Sequence, residues 1–223
     1  MTFASKLCDS PRQAVEGLCD GAVLLVGGFG DSGIPFGLLD AVYDNGARDL
    51  TVVSINAGSG LTGIARLIDG RRVGKIICSF PRTAGSVAFE AAYEARQIDL
   101  ELVPMGTLVE RLRAGGAGIA AFFTRVGAGT LLAKGKEMRT IGGQEHILET
   151  AIVGDFGLVR AARADAFGNL DYAGVARNLN PVVAKAARVA AVEVDELTTD
   201  FLVPDRIITP GVYIDRIVQR SAL

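Results

Sequence analysis

Apolar and polar positions fall in blocks along this chain, and the blocks alternate in kind. Ala22 to Val26 (AVLLV) is a continuous apolar run that empties into glycine, the pattern of a strand buried on both faces. Asp49 to Ile55 (DLTVVSI), Val73 to Phe80 (VGKIICSF) and Ile98 to Val103 (IDLELV) have the same strand length and texture. Between them, segments with one apolar face predict helices near Pro35 to Tyr43, Leu61 to Ile68, Ser86 to Arg96 and Thr107 to Arg113. A helix is also expected earlier, with Ser10 as cap, Pro11 at the first helical position, Ala14, Val15 and Leu18 on one face, and Asp20-Gly21 as its end. Strands alternating with helices at this spacing predict right-handed βαβ crossovers, and so an α/β fold with a mainly parallel open sheet.

From Gly115 the pattern changes. IAAFFT, TLLAKG, KEMRTI and EHILE read as short strands broken by Gly127, Gly129, Gly135 and the Gly142-Gly143 pair, which predicts a β-rich, partly antiparallel C-terminal half. GLVRAARAD, then Ala166, Phe167, Gly168, Asn169, then LDY, predicts a hairpin with a glycine-containing turn. A helix near Pro181 to Ala187, a strand from Arg188 to Val194 and a tail bearing Thr209-Pro210-Gly211 complete the chain. There is no internal repeat and no low-complexity segment, and residues 1–223 are expected to form one domain.

Composition narrows the class. With 223 residues, 49% hydrophobic and 22% charged, the chain can bury a substantial core. A formal net charge of -2 with scattered Lys and Arg argues against nucleic acid or anionic lipid as partner. Cys8, Cys19 and Cys78 form no CxxC pair, and the single His146 builds no metal site, so a reducing cytoplasm and no metal are expected. No apolar h-region opens the chain, and no apolar run approaches the ~20 residues of a spanning helix, so no membrane association is expected. The 28 glycines cluster beside apolar segments, which implies many tight βα turns.

One of those turns carries candidate chemistry. Gly28, Gly30 and Gly33 satisfy G-x-G-x-x-G directly after a buried strand and before a helix. A dinucleotide site also requires an acidic residue at the end of the second strand, and that strand ends Ser54, Ile55, Asn56, Ala57, Gly58, which disfavours a nicotinamide enzyme. Two readings of the turn remain. Its backbone N-H groups and the helix beginning at Pro35 face an anion or a developing oxyanion, or the glycines only make a tight turn.

Asp20 to Pro35, DGAVLLVGGFGDSGIP, resembles the N-terminal signature of class I CoA-transferase alpha subunits. Asn56-Ala57-Gly58 sits at the family's asparagine-alanine-glycine turn, and Glu101 to Thr124 (ELVPMGTLVERLRAGGAGIAAFFT) is similar to a second long block. Asp165 to Tyr172 (DAFGNLDY), Ala176 to Pro181 (ARNLNP) and Thr209-Pro210-Gly211 continue the resemblance in order over nearly the whole chain. NAGSG and Lys75 to Arg82 (KIICSFPR) are most similar to 3-oxoadipate CoA-transferase alpha subunits.

The resemblance implies that a glutamate carboxylate attacks an acyl-CoA, forms a glutamyl-CoA thioester and passes CoA to a second acid by ping-pong steps, with that glutamate on a beta subunit. It implies no catalytic residue here, no permanently bound cofactor and CoA as substrate. An A2B2 assembly is expected from the family and from the prevalence of closed symmetry, with a sizeable apolar partner surface. The expected CoA or thioester contact is the loop Val26, Gly27, Gly28, Phe29, Gly30, Asp31, Ser32, Gly33; the expected substrate pocket is Asn56, Ala57, Gly58, Met105, Gly106, Phe123 and Arg125. No Ser-Glu-Asn-Gly-like motif is present, and Glu90, Glu94, Glu110 and Glu137 lie in polar, exposed contexts.

Three departures from the family pattern bear on substrate. Met105 stands where a glutamine is usual, Ile55 replaces an asparagine before the Asn-Ala-Gly turn, and Arg125 to Thr130 replaces Pro-Thr-Gly-Tyr-Gly-Thr. Methionine cannot donate a hydrogen bond to a substrate carboxylate, so a more apolar acid pocket is expected. Arg125 is then either a replacement anchor or an exposed loop charge. Of Phe122 and Phe123, one is expected in the core and the other at a pocket or interface, because consecutive strand residues face opposite sides. Asn56 on its own reads as a turn residue bonding its own backbone, and His146 as an ordinary hairpin residue. Besides the transferase half, a CoA-thioester hydrolase or ring-opening enzyme on the same fold, or a non-catalytic CoA-binding module, stays open.

Overall fold

Continuous apolar runs become strands only where both faces are covered, and here they are. The structure, a computed structural model, describes residues 6–220. Val23–Val26 (β1), Leu50–Val53 (β2), Val73–Cys78 (β3) and Asp99–Leu102 (β4) lie parallel in that spatial order. Gly154–Ala164 (β8) and Ala187–Leu197 (β10) extend the sheet on the other side of β1, and Arg216–Gln219 (β11) closes that edge. Leu170–Asp171 (β9) folds back antiparallel on β8, as the predicted hairpin. Among the described residues the main sheet has eight strands, parallel apart from β9.

The alternation along β1 shows how the layers form. Leu24 and Val26 enter a core with the helices Pro11–Ala14 (α1), Phe36–Asn45 (α2), Gly63–Asp69 (α3) and Val87–Glu94 (α4). Leu25 enters a second core on the opposite face with Met105–Gly116 (α5) and Asn180–Ala186 (α6). Local signals set the helix ends: the Ser10 side chain accepts from the Gln13 amide, and α2 ends at Gly46 in the left-handed region at φ 90°.

Ala121–Thr124 (β5), Met138–Ile141 (β6) and Gln144–Thr150 (β7) make a separate antiparallel sheet in the order β5-β7-β6. Arg111 of α5 ties it to the main body. Its Nε donates to the Thr150 carbonyl (2.7 Å) and lies 3.9 Å from Glu149, while Nη1 bonds Glu101 of β4 at 2.7 Å. Lys75 pairs with Glu101 at 2.7 Å, and Lys136 pairs with Glu149. Burial alone would raise the Glu101 carboxyl, but its bonds to Arg111 and Lys75 outweigh this and hold it below the ordinary range.

Four local expectations are corrected. The first helix stops at Ala14, where the Val15 amide turns back to Arg12 and Pro11. TLLAKG is a short 3-10 turn, Leu131–Ala133, because the Thr130 hydroxyl caps it by accepting from the Leu132 amide at 3.2 Å. α5 begins two residues earlier than its apolar periodicity, so Met105 and Gly106 are its first turn and not a preceding loop. β11, which the apolar pattern does not predict, exists through its parallel pairing with β10.

β1 is the switch point of the sheet: the chain leaves it through α2 to β2 on one side, and β8 later arrives on the other. Open α/β sheets bind ligands outside the carboxyl ends of strands at such a point.

Candidate active site

The loop leaving β1 is built to hold its tip outward. Gly27 continues the ladder by donating to Leu158 O at 2.9 Å, and Phe29 and Ser32 exchange two amide-to-carbonyl bonds of 3.0 Å. Gly27, Gly28 and Gly33 are buried, whereas Phe29, Gly30 and Asp31 are exposed at the tip. Gly27 admits no side chain, since a Cβ there would lie 1.9 Å from Asn180 Oδ1.

Residues distant in sequence clamp this loop. The Asn178 Oδ1 accepts from the Gly28 amide at 3.0 Å, and its Nδ2 donates to Ser32 O at 3.0 Å. Asn180 donates to Gly33 O (3.1 Å) and Ala176 O (2.8 Å) and accepts from the Arg160 amide (3.0 Å). Both belong to ARNLNP, a segment that the sequence marks as a motif without a role; the signal that points to them is the family resemblance alone.

The start of α2 does not offer the anion site expected of it. The Glu193 carboxylate, reaching from β10, already accepts from the Leu38 amide at 3.0 Å, and a Cβ on Gly37 would stand 2.7 Å from Glu193 Oε2. Burial raises the Glu193 pKa, against the opposing effects of that amide, of Arg160 and Arg220, and of the Gly37 amide. The helix end is thus closed by a protein side chain, and in the glycine loop the Gly27, Gly28, Phe29 and Ser32 amides are likewise engaged within the protein, which leaves the exposed tip at Gly30 and Asp31 to meet a ligand.

A cavity of about 570 Å³ lies beside the loop tip. Phe29 forms one wall, Met105, Gly106 and Glu110 of α5 a second, and Phe122 and Thr124 of β5 a third, with Asn178 behind. Ile55 also lines it. The first-turn amides of α5 have no intrahelical acceptor, and Thr107, also in the wall, has a buried hydroxyl without a partner. The surround is apolar with a few polar groups converging, as small-ligand sites are.

The expected pocket residues are thus partly gathered and partly not. Met105 and Gly106 stand in the wall together with Phe29 of the loop. Asn56 turns inward: its Oδ1 accepts from the Gly58 amide at 2.9 Å, so its carboxamide serves its own turn, while the preceding Ile55 faces the cavity. Ala57 is fully buried, and Gly58 sits at φ 80° against Ala65. Phe123 faces away from the cavity with the Arg139 guanidinium 4.4 Å over its ring, because β5 alternation gives Phe122 the inward side. Arg125 is exposed in a neighbouring depression with Val126, Ala128, Gln144 and Glu145, so it does not face Met105.

Of the four glutamates read as exposed, Glu94 and Glu137 are exposed, and Glu90 and Glu110 are half-buried. Glu110 stands at the cavity edge, paired with Arg113 at 2.7 Å. Glu149 and Glu193 are each only 3% exposed, but the first is held by Lys136 and Arg111 and the second by α2. His146 lies on β7, with Nδ1 2.8 Å from Gln144 O, outside the cavity. Cys78 is buried and its thiol is pushed up to about 12 by that burial, which leaves it without thiolate character near neutrality. Among the described residues no group of three His, Cys, Asp or Glu side chains is placed to hold a metal, and no helix is long and apolar enough to cross a membrane.

Comparison with known proteins adds identity to this geometry. The family model described as coenzyme A transferase matches residues 8–220. The A subunit of the 3-oxoadipate CoA-transferase of Pseudomonas putida is 46% identical over 97% of this chain and 94% of its own length. The A subunit of the succinyl-CoA:3-ketoacid coenzyme A transferase of Helicobacter pylori strain J99 is 45% identical over 96% of this chain and 92% of its own. An acyl-CoA transferase from Escherichia coli O157:H7, solved as a thioester complex with CoA, shares the fold at a TM-score of 0.84 over 97% of this chain and 50% of that one, with 21% identity. The chain belongs to the coenzyme A transferase family, and both of these curated relatives are A subunits.

Proposed function

We propose that this chain is the A half of a two-chain enzyme that moves CoA from an acyl-CoA, succinyl-CoA, to a small 3-oxo acid such as 3-oxoadipate or acetoacetate. The observation that carries the reading is the cavity between the glycine loop and the first turn of α5, apolar around a small set of unengaged polar groups. Placing the nucleophile on a partner is supported by the buried carboxylates among the described residues, since Glu149, Asp165 and Glu193 are all engaged within the chain.

In this reading a carboxylate oxygen of the partner's glutamate attacks the thioester carbonyl. The C-S bond breaks, CoA leaves as thiolate and a mixed anhydride forms. The thiolate then attacks the glutamyl carbonyl, which releases the free acid and leaves a glutamyl-CoA thioester, and the second acid reverses both steps. The residues of this chain bind and orient: the Phe29 to Ser32 tip and the α5 first turn face the reacting carbonyl, and Met105 and Phe122 exclude water from it. Phe29, Leu61, Phe80 and Met105 are large apolar side chains exposed near the carboxyl ends of the parallel strands, and they suit a partner surface there. We take the assembly to be A2B2.

The test is the intact mass of both chains after incubating the coexpressed pair with succinyl-CoA and no acceptor. A CoA adduct on the partner, removed by adding the acceptor acid, is expected; an adduct on this chain overturns the division of labour.

A further inference from the structure

Asn178 combines three properties that are rarely found together. Its backbone sits at φ 21° and ψ -119°, a region that asparagine and other residues with a side chain seldom adopt and that persists only where surrounding contacts enforce it. Its carboxamide is saturated: Oδ1 accepts from Gly28 N (3.0 Å) and Leu179 N (2.6 Å), and Nδ2 donates to Ser32 O (3.0 Å) and Val175 O (2.9 Å). It also lines both the 570 Å³ cavity and a second one of about 480 Å³ on the outer side of the loop, and Phe29 lines both with it.

The chemistry of the four bonds selects the residue type. Two amide N-H groups require an acceptor and two carbonyl oxygens require a donor, so one side of the side chain must be C=O and the other NH2. Aspartate supplies only the acceptors and would set a charge against two carbonyl oxygens. Glycine relieves the backbone and supplies neither. The two loop contacts, at Gly28 and Ser32, bracket the turn that carries Phe29 between the cavities.

We propose that Asn178 is a positioning residue, held in a strained conformation so that its carboxamide fixes the Gly28 to Ser32 turn and with it the Phe29 wall between the two cavities. It acts through the loop and not on the reacting atoms. Its effect on turnover rests on the transferase reading above; its effect on loop order does not.

The experiment pairs amide hydrogen exchange of the loop with steady-state transfer kinetics, in wild type, Asn178→Gly and Asn178→Asp, each coexpressed with the partner chain. Asn178→Gly is expected to melt near the wild-type temperature because it removes the backbone strain. Exchange at the Gly28 amide should nonetheless rise roughly tenfold, the scale of one lost hydrogen bond. Turnover should drop about tenfold or more while KM for the acid moves less. Asn178→Asp is expected to lose loop protection above the ordinary carboxylate range and regain part of it in acid, when a protonated carboxyl can donate to Ser32 O. Wild-type Gly28 protection in Asn178→Gly overturns the proposal, and so does lost protection with unchanged kcat. Should Asn178→Gly fail to assemble, pH-independent loop protection in Asn178→Asp overturns it instead. A wild-type pair that transfers no CoA while the variants still lose loop protection contradicts the transferase reading and leaves the positioning role standing.

Discussion

We propose that substrate choice turns on Met105. It sits half exposed at the first position of α5, in the cavity wall, and presents a thioether where a carboxamide would offer two N-H donors. Beside it, the first-turn amides of the helix have no intrahelical acceptor, and the buried Thr107 hydroxyl has no partner. Met105→Gln adds a donor to the wall, and it is expected to shift the ratio of kcat/KM for 3-oxoadipate over acetoacetate about tenfold, the scale of one hydrogen bond to a charged group. An unchanged ratio in the reconstituted enzyme would remove Met105 from the account of specificity. Among single residues, the sequence is informative wherever the partner is local. Asn56 bonding its own turn is one of the two readings its surroundings allow, and the alternation of Phe122 and Phe123 is legible although the pocket takes the other ring from the one expected. Asn178, Asn180 and Glu193 receive no role from the sequence because their partners lie 150, 147 and 155 residues away, and no periodicity encodes a contact at that separation.

Elements are more legible than contacts, because a buried parallel strand is a continuous apolar run and a covering helix shows one apolar face. β1 to β4 and the helices between them lie where these patterns place them. The failures share a cause: the deciding interaction is not apolar. Thr130 caps TLLAKG into a turn through its hydroxyl, α5 opens with a proline cap and a glycine ahead of its apolar face, and β11 is a strand only beside β10. The capping of α2 is the clearest case, since a carboxylate from another strand replaces a local cap. Because burial raises the Glu193 pKa, its contribution to stability is fully present below the ordinary glutamate range and is lost as pH rises through the raised value. A glutamine oxygen can accept from the Leu38 amide as a glutamate oxygen does, but glutamine carries no charge. Glu193→Gln is therefore expected to raise Tm at pH 7 and to leave it unchanged near pH 4; a Tm deficit that grows toward neutral pH would show that the charged form stabilises the helix end.

For the whole molecule, the order β11-β10-β8-β1-β2-β3-β4 places the glycine loop at the switch point, and the small antiparallel sheet brings β5 over it. The α/β class and the β-rich second half are readable from the sequence. The insertion of β8 and β10 into the same sheet is not, because strand order is set by long-range pairing. The joint between the two sheets is the Arg111, Glu101, Lys75, Glu149 and Lys136 network. Removing Arg111 leaves the buried Glu149 and the partly buried Glu101 with one cation each, so Arg111→Ala is expected to cost about 3 kcal/mol in denaturant unfolding and to loosen β5. A loss below about 1 kcal/mol would mean that apolar packing alone holds the small sheet. Since Glu101 is held below its ordinary range, its contribution is present above that range and is lost as pH falls from there through the lowered folded value; in Arg111→Ala, where that value is less depressed, the acid loss should be smaller and complete at higher pH.

The proposed function requires this chain to supply half of an active site and no nucleophile. The decisive assay follows CoA transfer from succinyl-CoA to 3-oxoadipate, and to acetoacetate, with this chain alone and with it coexpressed beside its partner chain. No transfer by the chain alone and ping-pong transfer by the pair are expected. Transfer by the isolated chain would refute the half-site, as would a pair that assembles and releases free CoA without passing it to either acid.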